Sequence, residues 1–97
     1  MFEIEFTARA NEELRWFKKH EQNVVLDAIY TQLPYEPTVR TRNRKPLSAN
    51  QTAAWELRIG DFRVFYDVDE KVRIVEIQRV GEKRGSWLFF RGRREEL

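Results

Sequence analysis

Apolar and polar residues alternate near both ends of this chain and follow a helical period between them. Phe2, Ile4 and Phe6 alternate with Glu3 and Glu5, which predicts a short first strand with one apolar face. Thr7 then offers a side-chain oxygen to cap a helix, and Ala10, Leu14 and Phe17 recur at helical spacing. A second stripe, Val25, Ala28, Ile29 and Leu33, runs to Pro34, which stops the helix. The apolar phase nearly continues from one stripe to the next, so one long helix and a hairpin both fit. The polar run Lys19-His20-Glu21-Gln22-Asn23 favours a break.

Residues 34–52 hold all three prolines, Pro34, Pro37 and Pro46, and form a long connection of the kind usually tied to function or partner contact. Period-2 alternation follows. Trp55, Leu57 and Ile59 alternate with Glu56 and Arg58; after a Gly60-Asp61 turn signal, Phe62, Val64, Tyr66 and Val68 alternate with Arg63, Phe65 and Asp67. Asp69-Glu70 is the expected turn before a third strand, Val72 to Val80. There Val75 and Ile77 point one way and Val72 and Ile74 the other, as in a central strand covered on both faces. Arg63 is thereby predicted mid-strand on the face opposite Val64 and Tyr66, close to Lys83 and Arg84. Core packing needs no arginine there, and converging cations suit phosphate. Beyond Gly85, Trp87-Leu88-Phe89-Phe90 is too apolar for a free tail and is expected to return to the sheet, whereas the last residues, RGRREEL, are expected to be exposed.

A chain of 97 residues has room for one core, so residues 1–97 are read as a single domain; 41% hydrophobic and 13% aromatic content argue that it folds. With no cysteine and one histidine, His20, neither a disulfide framework nor a zinc site is expected. His20 itself reads as an exposed helix-end residue. Nothing at the N-terminus resembles a signal peptide and no apolar run is long enough for a membrane span, which points to the cytoplasm.

The formal charge of +2 hides an asymmetry. Residues 1–36 carry four Lys/Arg against seven Asp/Glu, and residues 37–97 carry fourteen against nine. The cations gather at Arg40, Arg42, Arg44 and Lys45, and again at Arg79, Lys83, Arg84, Arg91, Arg93 and Arg94. Two such clusters beside one sheet favour a polyanion, and nucleic acid in particular.

The block WELRIG, a turn, FRVFYDVD, and a strand ending in VG followed by basic residues resembles the RelE/ParE superfamily of type II toxin–antitoxin toxins. FEIEF, a charged two-helix segment and a basic loop precede it in the order that superfamily uses. The resemblance spans almost the whole chain. It implies an α+β fold: an N-terminal strand and a helical hairpin packed on a mainly antiparallel sheet of four to five strands. It also implies a ribosome-dependent mRNA endoribonuclease that inhibits translation, in which a ribose 2′-OH attacks the adjacent phosphate without metal or other cofactor. The alternatives are a ParE-like inhibitor of DNA gyrase and a catalytically degenerate antitoxin-binding module.

On this resemblance Arg63 matches the strand arginine, and Lys83 or Arg84 the second cation. Glu56 and Arg58 stand on the strand where relatives often keep lysines, and Glu56, Lys45 and Lys83 are the groups able to move protons. Phe89 and Phe90 occupy the region where well-known members keep a Tyr or His. Arg40, Arg42, Arg44, Lys45 and Arg79 are the expected RNA-binding residues. Expected partners are the ribosome, its mRNA and a cognate antitoxin, the last docking at Trp87 and Phe89 to form a toxin–antitoxin hetero-oligomer.

Overall fold

The computed structural model describes residues 1–48 and 52–96. Strand β1 (Glu3–Phe6) leads into helix α1 (Ala8–Trp16), and Phe17 and Lys18 separate it from α2 (Lys19–Gln32). Thr7 caps α1, its hydroxyl accepting the Ala10 N–H at 3.0 Å. The hairpin break falls earlier than the polar run suggests. Phe17 is already extended, and Glu21 accepts the Lys18 N–H at 3.0 Å while Gln22 donates to the Phe17 carbonyl at 2.9 Å. Lys19 to Asn23 are therefore the capped first turns of α2, where polar side chains serve the unpaired helix-end groups. His20 is exposed there.

Strands β2 (Arg44–Pro46), β3 (Trp55–Ile59), β4 (Phe62–Asp69), β5 (Ile74–Arg84), β6 (Trp87–Phe90) and β7 (Arg93–Glu95) run antiparallel in that order. On the β5 edge away from β4, β1 pairs in parallel with residues 74–77 and β6 pairs antiparallel with residues 82–84. The result is the predicted α+β architecture, with seven strands rather than four or five. The two extra strands, β2 and β7, have three residues each, too few for alternation to be visible. One lies in the proline-containing connection and the other in the run expected to be exposed. Val72 is not in a strand: Asp69 accepts the Lys71 and Val72 N–H groups, Arg73 takes φ 61°, and Val72 is left 61% exposed in the turn.

The helices bury Ala10, Leu14, Val25 and Ile29 against Leu57, Val64, Tyr66, Val75, Ile77 and Val80. The apolar series on β5 steps 75, 77, 80 rather than 75, 77, 79 because a bulge shifts the β4–β5 register: Tyr66 pairs with Ile77 but Phe65 pairs with Arg79. The elements around α1 close the gap this leaves between β1 and β6. Thr7 bonds to the carbonyls of Ile77 and Gln78, and Glu13 Oε1 accepts the Val80 N–H at 3.0 Å. On the opposite sheet face a smaller cluster gathers Ala53, Phe65 and Phe90 with Leu47 and Leu88. No helix among the described residues is long and apolar enough to cross a membrane.

Candidate functional site

The sheet face away from the helices carries most of the chemistry. In the ladders Lys45 stands opposite Glu56, Arg58 opposite Arg63, and Arg63 opposite Gly81, so these residues share a face. Lys83, two positions beyond Gly81, joins them, its N–H held by the Asp61 carbonyl at 2.7 Å. The register separates two residues that the sequence left equivalent. Arg84 falls on the other face, opposite Trp87 and bonded to Glu82 at 3.0 and 3.1 Å.

Two arginines directly across a ladder repel each other unless something neutralises them. Glu56 does so for Arg58, accepting from its Nε at 2.8 Å. Arg63 instead turns Nη1 into the β3–β4 turn, donating to the carbonyls of Gly60 at 2.7 Å and Phe62 at 2.9 Å. Gly60 takes φ 56° there, which suits a two-residue hairpin turn. Nε and Nη2 of Arg63 have no partner among the described residues, and no buried side-chain nitrogen or oxygen there lacks one, so both groups reach solvent. Burial lowers the Arg63 pKa; Glu56 and Asp61 oppose that shift and Arg58 adds to it. An arginine still keeps its charge near neutrality. The outcome is a largely buried guanidinium fixed at one end, with two donor groups able to take an anion.

Several expected site residues have other duties. Arg44, expected to bind RNA, is buried, donating to Val39 O, Gln32 Oε1 and the Glu36 carboxylate at 3.1 to 3.3 Å. It pins the connection to α2. Arg79, also expected to bind RNA, is 5% exposed and sits with its guanidinium 3.6 Å above the Phe90 ring, bonded to Glu13 and Glu95. Burial alone would lower its pKa, but its bonds to Glu95 and Glu13 outweigh that and raise it. Arg40 and Arg42 are exposed, and Lys45 is half-buried. Trp87 and Phe89 lie on the helix side of the sheet, Trp87 exposed and Phe89 half-buried.

Phe90 shares the Arg63 face, but its ring is buried under Arg79; Phe89 points to the other face, and Leu88 is the residue opposite Lys83. None of the described tyrosines or His20 is on the Arg63 face. Tyr66 is in the core, donating to Pro37 O at 2.6 Å, with its pKa raised by burial. Gly81, read from the sequence only as the VG end of the strand, lies inside β5, where a glycine signals close approach. A Cβ there would come within 2.6 Å of the Phe90 ring and 2.8 Å of the Phe89 carbonyl. No group of three or more His, Cys, Asp or Glu among the described residues is placed to hold a metal ion.

Residues 4–87 match the ParE toxin of the type II toxin–antitoxin system, parDE. Among solved structures the fold is similar to a chain of the Mycobacterium tuberculosis RelBE2 toxin–antitoxin complex, with TM-score 0.74 and 26% identity over 84% of this chain and 98% of that one. It is also similar to a chain of the archaeal RelE–RelB complex from Pyrococcus horikoshii OT3, with TM-score 0.68 and 23% identity over 87% and 96% of the two chains. The isolated E. coli RelE toxin superposes with TM-score 0.69 at 16% identity, covering 87% of this chain and 86% of that one. No curated protein matches the chain. The family match and the shared fold together identify this chain as a member of the RelE/ParE superfamily of toxins of type II toxin–antitoxin systems.

Proposed function

We propose that this toxin is a metal-independent mRNA endoribonuclease acting on translating ribosomes. The observation that supports this most is the gathering of Arg58, Arg63 and Lys83 with Glu56 on one sheet face, where Arg63 keeps two donor groups open. In the reaction a ribose 2′-oxygen attacks the adjacent phosphorus. The O2′–P bond forms, the P–O5′ bond breaks, the 2′ proton passes to a base and the departing 5′ oxygen gains a proton. The products are a 2′,3′-cyclic phosphate and a 5′-hydroxyl. Negative charge grows on the non-bridging oxygens, where a preorganised guanidinium is most effective. The Glu56 carboxylate is the acceptor for the 2′ proton and the Lys83 ammonium the donor to the leaving oxygen. A cognate antitoxin is the proposed partner, since the solved relatives from M. tuberculosis and P. horikoshii are toxin–antitoxin complexes.

A second reading is inhibition of DNA gyrase. The lack of a phenol or imidazole on the Arg63 face favours it, because proton transfer then rests on a carboxylate already shared with Arg58. Primer extension on a message in a purified translation reaction, run beside a gyrase supercoiling assay, separates the two. Ribosome-dependent cuts with 5′-hydroxyl ends and unimpaired supercoiling are expected. Intact message with blocked supercoiling would establish the second reading.

A further inference from the structure

Trp87, Phe89, Arg84 and Arg94 form a cluster on the sheet face opposite Arg63. The helix layer stops short of it: Phe17, just past α1, packs edge-on against Phe62 at 5.2 Å, and Phe62 pairs with Glu82. Glu82 pairs with Phe89, Phe89 with Arg94, and Arg84 with Trp87, so all of these residues share the helix side of the sheet. The cations cross the ladder diagonally. The Arg94 guanidinium lies 4.0 Å from the centre of the Trp87 ring, and that of Arg84 lies 5.1 Å from the Phe89 ring. Trp87 remains 44% exposed and the Arg84 side chain 57% exposed. Glu82 neutralises Arg84, while Arg94 has no ion-pair partner among the described residues.

From this geometry we infer a second, base-stacking site for single-stranded nucleic acid, built by Trp87, Phe89, Arg84 and Arg94 and separate from the Arg63 face. Planar cations laid on aromatic rings give flat surfaces on which bases of any sequence can stack, and the same arginines attract the phosphates. An apolar peptide side chain would find these rings already partly covered by charge. Arg93 pairs with Phe90 and so lies on the Arg63 face, and Arg91 is matched by Glu12, which leaves Arg84 and Arg94 as the cations of this site. The site holds whether the toxin cleaves mRNA or inhibits gyrase, and its test uses neither activity.

The free toxin is titrated at low salt with a twelve-nucleotide oligo(U) RNA, reading tryptophan fluorescence, with polyglutamate of similar charge in a parallel titration. Stacking on Trp87 predicts strong quenching by the RNA, little by polyglutamate, and loss of most of the quench in Trp87→Leu, which leaves Trp16 and Trp55 as reporters. Affinity should fall about tenfold in Trp87→Leu and comparably in Arg84→Gln/Arg94→Gln, a second variant that keeps both rings. The inference is overturned if these variants bind RNA as tightly as the wild type while their circular dichroism is unchanged. Polyglutamate that binds as tightly and quenches as much as the RNA would also overturn it, and would assign the surface to an acidic peptide.

Discussion

Arg63 lies directly across the β4–β5 ladder from Gly81, and the Phe90 ring fills the space that a side chain at position 81 would need. The neighbour of Arg63 on that strand is thus bare backbone. Gly81→Ala would drive a Cβ into the Phe90 ring and the Phe89 carbonyl, and a backbone atom yields less than a flexible side chain. Overpacking of this kind should destabilise the protein by about 1–3 kcal/mol, read as a lower urea midpoint at unchanged slope.

Glu13 and Arg79, 66 residues apart, form a buried ion pair that also fixes the β5 bulge through the Val80 N–H. Removing Glu13 leaves Arg79 matched only by the part-exposed Glu95 and the Val80 N–H without its acceptor. Glu13→Ala should therefore cost up to about 3–5 kcal/mol, far more than Arg9→Ala, whose ion pairs at 3.8 Å are exposed on the arginine side. Equal unfolding midpoints for the two variants would contradict this.

The Arg79 hydrogen bond holds the Glu95 pKa below its ordinary value of 4.5, with burial opposing and the charges of Arg79, Arg9 and Arg93 assisting. A carboxylate with a depressed folded-state pKa contributes stability that is present above its unfolded pKa and is lost as pH falls through the folded one. Glu95→Gln should thus lower the melting temperature modestly at pH 7. The gap from wild type should close as pH drops below 4.5, and a gap that persists in acid would show that the charge is not its source.

The basic connection divides into two kinds of arginine. Arg40 and Arg42 are exposed, so Arg40→Ala/Arg42→Ala should leave stability within about 0.5 kcal/mol and flatten the salt dependence of single-stranded RNA binding, by about 0.7 in slope for each phosphate that is no longer neutralised. Arg44→Ala should do the reverse. It removes the bonds of a buried guanidinium to Val39, Gln32 and Glu36, lowering stability without a specific change in salt slope. Fluorescence anisotropy across a salt series, paired with urea unfolding, distinguishes the two outcomes.

The order of elements was legible because each long element carries several repeats of its period: Trp55 to Ile59 and Phe62 to Val68 fixed which face Arg63 would take. What the sequence hid were features depending on contacts distant in the chain. Arg44 and Arg79 look like any other cations in a basic run, since their carboxylate partners lie elsewhere. The bulge at Gln78 was hidden for the same reason: it shows only when Phe65 and Tyr66 are paired with their β5 partners, and it reverses the facing of every later β5 residue relative to strict alternation. That reversal places Lys83, rather than Arg84, beside Arg63.

The most direct test of the proposed chemistry compares wild type, Arg63→Ala and Arg63→Lys by primer extension on ribosomes translating a defined message, after circular dichroism has shown all three folded. If Arg63 stabilises the charge developing on the scissile phosphate, Arg63→Ala should cut at least about a hundredfold more slowly, equivalent to roughly 3 kcal/mol in the barrier. Arg63→Lys should recover only part of that, because a lysine lacks the planar fork. Wild-type cleavage that Arg63→Ala retains at full rate would contradict the account.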